Sequence, residues 1–382
     1  MKIKKCRSCK KSNLKKLFSL GDLCFTGKFP TADQKIGKAP IDLVICNNCE
    51  LVQLGHNFDL RYLYGPDYGY RTGINKTMLN HVEQVARYLT KITKLKKNDY
   101  VLDIASNDGS LLNFYAKNIN TFGIDPILDK YKNEYKHIDF KISDFFSAEK
   151  VLKKTKNKFK IITALSVFYD SLDPNKFLRD VKKLLRNDGV FLLEFADLAS
   201  IIKKKMFDTI CHEHLEYYSL KSLKYLLTKA GLKITNLSFN QINGGSIEVD
   251  VVKKSSKYKE CKDLINWVLE SEQVNQYNEI KKHKSFYNEC LNHKKLLKKL
   301  LITLKKQNKK VVGYGASTKG NVLLQFCGIN SKIISNIAEV NKYKFNRYTP
   351  GSKIKIVSEK SVKLKKPDYM LVLPWHFKDY IV

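Results

Sequence analysis

The sequence predicts an α/β protein: a doubly wound, Rossmann-like sheet at the centre, a small cysteine-rich unit before it and a second, smaller Rossmann-like unit after it. Three observations carry that expectation. Cys6, Cys9, Cys24, Cys46 and Cys49 crowd into the first fifty residues, while the other cysteines are scattered. From residue 98 short apolar runs alternate with amphipathic stretches at the spacing of strand–helix units, which implies a parallel sheet. After a charged helical stretch at about 258–308, "KKVVGYGASTKGNVLLQFCGI" repeats the order of strand, glycine-rich turn and helix.

The 382 residues, 43% of them hydrophobic, suffice for two or three domains with real cores. Boundaries are expected at 1–65, 66–255 and 256–382. A formal charge of +33 from 70 Lys and Arg against 37 Asp and Glu raises nucleic acid or an anionic surface as partners. The lysines are spread along the whole chain, on polar faces and ends of expected helices, so they read as solvated surface. Apolar runs such as Val190–Leu193 are strand-sized, far below the roughly 20 residues of a membrane span. "MKIKKCRSCK" lacks the apolar stretch of a secretory signal, which places the protein in the cytoplasm. Cysteines in that setting point to metal and not to disulfides.

The first unit holds "CRSC" at 6–9 and "CNNC" at 46–49. Two thiolates two residues apart chelate one Zn²⁺ at about 2.3 Å each, and two such turns complete a tetrahedron. Cys6, Cys9, Cys46 and Cys49 are the expected ligands; four thiolates leave no open position, so the zinc is structural. "YLYGPDYGYRTG", residues 62–73, then leads into a helix near Ile74–Leu89, and its tyrosines either pack their rings or line a site.

In the central unit "DYVLDIASNDGSLLNFYAK" reads as strand, turn and helix; "TFGID", "DFKISDFF" and "FKIITALSVFYD" supply further strands. The helix "PNKFLRDVKKLLRNDG" and the strand "VFLLEF" follow, then "SLKSLKYLLTKAG" and a strand pair around "KITNLSFNQINGGSIEVDVVKK". Ligands of such a sheet bind beyond the carboxyl ends of its strands. At the first turn Asp103, Ala105, Ser106 and Gly109 let a ligand approach the backbone, and the helix N-terminus behind them can receive a carboxylate. Asp125, about 20 residues on, is placed for a ribose diol. Asp144 would meet an adenine amino group, with Phe145 against the ring. Amino acid, ribose and adenine together describe S-adenosylmethionine.

These motifs, with "SNDG", "HEHLEYYSL", "NGGS" and "GYGASTKGN", resemble the class I S-adenosylmethionine-dependent sugar C-methyltransferases of deoxysugar pathways, across essentially the full chain. The resemblance implies a methyl transfer to carbon of a nucleotide-linked keto-sugar held between the middle and C-terminal units. It places Asn107 and Asp108 in the donor site, to which Ser166 after the fourth strand is added. A carbon next to a ketone becomes nucleophilic only on losing a proton, so a base is needed beside it. By resemblance His214 is that base, Glu213 orients it, and His212 and the loop residue Tyr70 complete the catalytic group. Asn243, Gly244 and Gly245 would line the substrate side, and Lys319 would meet substrate phosphate. Two departures stand out: Cys211 replaces a tyrosine before "HEH", and Tyr169 and Asp170 stand where the family has a histidine.

The residues alone leave other readings of "CHEH" open. On an extended segment His212 and His214 would share one side and could hold a metal, or the cluster could be structural. Transfer to oxygen or nitrogen of a related small molecule is the alternative activity, and a zinc-stabilised nucleic-acid-binding protein the alternative class. A small-molecule acceptor, no membrane, and a monomer or homodimer complete the expectations.

Overall fold

A computed structural model of the chain describes residues 1–65 and 67–381; Pro66, the expected first residue of the central unit, and Val382 lie outside the described residues. The N-terminal unit folds around two matching turns. Lys10 N–H donates to Cys6 O and Glu50 N–H to Cys46 O, with Lys10 and Glu50 both in the left-handed region (φ 64° and 57°). Strands β1 (Leu14–Cys24), β2 (Lys38–Cys46) and β3 (Val52–Leu54) form an antiparallel sheet.

The central sheet contains β4 (Tyr100–Ile104), β5 (Asn120–Ile124), β6 (Phe140–Ile142), β7 (Phe159–Leu165) and β8 (Leu185–Ala196). A short β9 (Glu216–Tyr217) follows, then β10 (Leu232–Asn240) and β11 (Ser246–Lys253). The seven-stranded order is β10-β11-β8-β7-β4-β5-β6, with β11 alone running against its neighbours. Apolar runs such as Ile161, Ile162 and Phe191–Leu193 are buried, as both-face-covered parallel strands require. The order reverses at β4 and β7, which opens a crevice beyond their carboxyl ends.

The third unit is a parallel sheet of β12 (Val311–Tyr314), β13 (Asn336–Glu339), β14 (Lys355–Ser358) and β15 (Tyr369–Val372), ordered β14-β13-β12-β15. The charged stretch before it is two helices, Lys262–Val274 and Ile280–Lys306, separated where Gln276 takes φ 57°. The second of these crosses from the N-terminal sheet to the third unit, with Phe286, Cys290 and Leu301 inward.

β9 belongs to neither large sheet. It pairs with β3, Val52 against Tyr217 and Gln53 against Glu216. Just before it, Leu54 N–H donates to Leu215 O at 2.9 Å while Leu215 N–H donates to Tyr169 O at 2.8 Å. The "HEH" segment is therefore fastened to the cysteine unit on one side and to the central unit on the other.

The helix expected after β4 is not formed; residues 105–119 contain turns and one short 3₁₀ turn, Leu112–Phe114. Ala105, Asn107 and Gly109 alternate into positive φ (58°, 51° and 75°), so helical geometry cannot start before Ser110, and β5 begins at Asn120. The carboxylate-receiving helix N-terminus read from the sequence is absent with it. The helix expected near Ile74–Leu89 is Lys76–Thr93, started by Asn75, whose side chain accepts from Thr77 N–H and Met78 N–H.

Candidate active site

A cleft of about 1040 Å³ lies beyond the ends of β4, β5, β7 and β8, roofed by residues 314–319 at the end of β12 and by Pro374, His376 and Phe377. All three units contribute to its wall. Of the expected donor-site residues, Asp103, Ala105, Ser106, Asn107, Asp125, Phe145 and Ser166 line it. Ala105, Asn107, Ser166 and Asn243 all hold φ between 51° and 58° there. Each non-glycine residue in that region stores about 1–2 kcal/mol, a concentration of strain typical of binding sites.

The acids at the strand ends are buried and held by few donors. Asp103 accepts the Thr163 hydroxyl at 2.6 Å, and burial raises its carboxyl to about 7. Asp125 accepts Asn107 N–H at 2.9 Å and Ile127 N–H at 2.8 Å; burial raises it to about 6 against those two bonds. Tyr135 clamps the turn between them, its hydroxyl on Asn107 O at 2.7 Å.

Asp108, Gly109 and Asp144 are not on the wall, contrary to expectation. Asp108 accepts Gly73 N–H at 2.8 Å and Arg71 Nε–H at 3.1 Å, while Asn107 Oδ1 accepts Thr72 N–H at 2.9 Å. Asn107 and Asp108 of "SNDG" thus strap the tyrosine loop, which holds Tyr70 at the cleft, while Ser106 Oγ pairs with the Tyr135 hydroxyl at 2.9 Å. Gly109 is needed for packing, since a Cβ there would stand 2.7 Å from Ile138. Asp144 pairs with Lys150 at 2.6 Å.

His214 lines the cleft with Nδ1 2.7 Å from Thr209 O. A carbonyl only accepts, so Nδ1 carries the proton and Nε2 is left as an unprotonated acceptor. The ring meets Tyr169 edge-on at 4.6 Å. Burial pushes its pKa down to about 4, opposed by the charge of Glu213. Glu213 is also in the wall; its Oε2 accepts the Thr26 hydroxyl at 3.0 Å and its Oε1 accepts Gly27 N–H at 2.8 Å.

His212 is a correction. The segment turns at 212–213, so the side chains do not alternate as on a strand. His212 is wholly buried between Phe25 and Phe58, at 4.7 and 4.9 Å, with Nε2 3.1 Å from Ala39 O. Among the described residues, neither group able to gather metal ligands includes His212 or His214. In one of these groups, His81, Glu194 and Glu248, Asn240 Nδ2 bridges the carboxylates, donating to Glu194 at 2.8 Å and Glu248 at 2.7 Å, and His81 Nε2 stands 2.7 Å from Glu194.

The other group is the cysteine quartet. Cys6 and Cys49 Sγ lie 3.5 Å apart and Cys9 and Cys46 Sγ 3.4 Å, with all four mutually within 4.8 Å. Thiolates about 2.3 Å from one tetrahedral ion stand about 3.8 Å apart. The quartet therefore fits zinc, and Gln53 Nε2–H donates to Cys6 Sγ at 3.1 Å from the strand that pairs with β9.

On the acceptor side Asn243 and Lys319 reach the cleft, joined by Lys319 Nζ donating to Asn243 O at 2.6 Å. Asn243 in turn donates from Nδ2 to Ser166 Oγ at 2.9 Å. Gly244 and Gly245 are behind the wall: their missing side chains make room for Trp375 and Ser200. The sequence left Tyr64 and Tyr68 between packing and lining a site and did not mark Asp170, Lys344 or His376 for the wall, where all five lie. Tyr64 and Tyr68 lay in a tyrosine run, and Asp170 was visible as a departure from the family.

Three family models match successive stretches of the chain. Residues 6–64 match the family model of a putative zinc-binding domain, 78–237 that of a methyltransferase domain, and 241–382 that of a C-methyltransferase C-terminal domain. The C-methyltransferase NovU of Streptomyces niveus is 26% identical over 386 residues, covering 100% of this chain and 91% of its own. A Clostridium acetobutylicum S-adenosylmethionine-dependent methyltransferase aligns over 46% of this chain and 92% of its own, at 15% identity and TM-score 0.38. The plantazolicin methyltransferase BamL, solved with S-adenosylhomocysteine, aligns over 47% and 86%, at 14% and 0.39. Superpositions at that level place no residue of this chain. With matches to a putative zinc-binding domain, a methyltransferase domain and a C-methyltransferase C-terminal domain in succession, the chain is an S-adenosylmethionine-dependent methyltransferase.

Proposed function

We propose that this chain transfers the methyl group of S-adenosylmethionine to a carbon next to a ketone of a nucleotide-linked sugar, after His214 has removed a proton from that carbon. The observation that carries the reading is the fixed tautomer of His214: its Nδ1–H is committed to Thr209 O, which leaves Nε2 of this cleft-wall residue unprotonated. The domain that closes the chain is of the C-methyltransferase kind, and a curated C-methyltransferase aligns along its whole length. We assign the units to 1–65, 66–255 and 256–382.

Bound S-adenosylmethionine supplies an electrophilic methyl on a sulfonium centre. Ala105–Asn107, Asp125, Phe145 and Ser166 would hold it at the ends of β4, β5 and β7. His214 takes the proton and leaves the electron pair on carbon and oxygen as an enolate. Glu213, fixed by Thr26 and Gly27, offsets the charge that His214 gains. Tyr70, Asn243 and Lys319 face the sugar and its phosphates.

Incubation in D₂O with a panel of nucleoside-diphosphate keto-sugars, without methyl donor, tests the reading. Deuterium should enter at the carbon next to the ketone and not in His214→Ala. Failure of the wild-type protein to exchange any of the sugars, with methylation of a hydroxyl or amine instead, would overturn it.

A further inference from the structure

Asp170 is an acid of the cleft wall to which the reading above gives no work. It follows β7, is 8% exposed, and accepts the Tyr64 hydroxyl on Oδ2 at 2.6 Å. Oδ1 is buried with no partner among the described residues. A buried oxygen without a partner costs about 1–3 kcal/mol, so its retention in a cleft wall calls for a ligand. Seven polar groups from four segments face it. Tyr64 and Tyr68 come from the tyrosine loop, Tyr169 is its neighbour in the chain, Cys211 and Glu213 belong to the "CHEH" turn, and Tyr217 and Glu216, the latter 3.7 Å from Arg7, belong to β9. None of these is a cation. Glu213 has both oxygens on donors, Thr26 and Gly27, whereas Asp170 has a donor on one oxygen only. Of two neighbouring buried acids, the one with fewer donors keeps its proton.

We propose that Asp170 is the oxyanion donor of this reaction: with Oδ2 held by Tyr64, Oδ1 carries the proton and donates a hydrogen bond to the ketone oxygen of the acceptor. The proposal rests on the enolate reading. As His214 Nε2 takes the C–H proton, the C–H pair becomes the new C=C bond and the carbonyl π pair moves to oxygen, where the Asp170 O–H meets it. The proton stays on Asp170, and no other reactant is needed. Burial, with the charge of Glu213 added, raises the Asp170 carboxyl well above the carboxylate range, in the same direction as the geometry.

The test uses the full zinc-loaded chain. Infrared difference spectra of wild type minus Asp170→Asn at neutral pH should show the C=O stretch of a protonated acid; a carboxylate pair instead would overturn the proposal, whatever the acceptor. In the D₂O exchange assay, Asp170→Leu should slow exchange about 10²–10³-fold, the usual effect of removing one oxyanion donor. Asp170→Asn, which still donates, should keep most of the rate and lose the high-pH decline that ionisation of Asp170 gives the wild type. Exchange by Asp170→Leu at the wild-type rate would sink the role of Asp170 and leave the enolate reading standing. No exchange by wild type would sink the enolate reading itself. Zinc content and calorimetric S-adenosylmethionine binding report folding, and if Asp170→Leu fails these controls the spectra and the Asp170→Asn pH profile decide.

Discussion

Alanine at position 27 would put a methyl group where the Glu213 carboxylate now sits. Its Cβ would stand 2.5 Å from Oε1, with Tyr68 at 3.6 Å on another side. Gly27 is outside the left-handed region, so the backbone itself tolerates the change. Contact below 3.0 Å is not sustained, so the carboxylate must retreat by at least half an ångström. It is 2% exposed and tied to Thr26, and moving it breaks the 2.8 Å bond from Gly27 N–H. A hydrogen bond to a charged group contributes about 1.5–3 kcal/mol, so exchange or turnover should fall about 10- to 150-fold. Thr26→Val removes the other bond and should cost a similar factor without moving the backbone. Initial rates of deuterium exchange, with S-adenosylmethionine affinity as the control for folding, measure both. If Gly27→Ala and Glu213→Gln both exchange at the wild-type rate, Glu213 does not hold the base and the reasoning fails.

Other perturbations follow from the same geometry. Burial lowers His214 to about 4, so the acid limb of the exchange rate should fall near that value and not near 6.5; an inflection at 6.5 would refute the neutral buried ring. His214 and His283, both lowered to about 4, take up protons from about 6.5 downward only when unfolded. Stability should therefore decrease as pH falls through that window, read by denaturant midpoints. Removing zinc by chelation, or Cys6→Ser with Cys49→Ser, should unfold the N-terminal unit and abolish exchange together; zinc-free protein with full activity would contradict the coupling. His212→Gln should lower the melting temperature yet leave the pH profile of exchange in place, because the ring is packed and not in the wall.

Much of the fold was legible because it rests on local pattern. Alternating apolar strands ending in Asp103 and Asp125, and thiols at fixed spacing, announce a sheet and a metal by chemistry that a few neighbouring residues complete. What was not legible depends on partners far along the chain. Asp108 was read as a ligand contact but lies off the wall, and its side chain, like that of Asn107, binds a loop thirty-five residues upstream. Tyr64 and Asp170 meet across 106 residues, and no periodicity records that. His212 was paired with His214 on the assumption of an extended segment; a turn between them sends one ring into the core and the other to the cleft.

Leu215 shows how the two ends of the molecule share one joint. Its N–H is spent on Tyr169 of the central unit and its C=O on Leu54 of the zinc unit, and His214 is the next residue in the chain. Consecutive Cα atoms are about 3.8 Å apart, so the imidazole has almost no slack relative to that joint. Rocking of the zinc unit against the sheet by even an ångström would be delivered to the base as displacement, with nothing in between to absorb it. The metal of the unit that grips Leu215 thereby acts as a mechanical ground for the base, and a chain that loses it loses aim and local shape together.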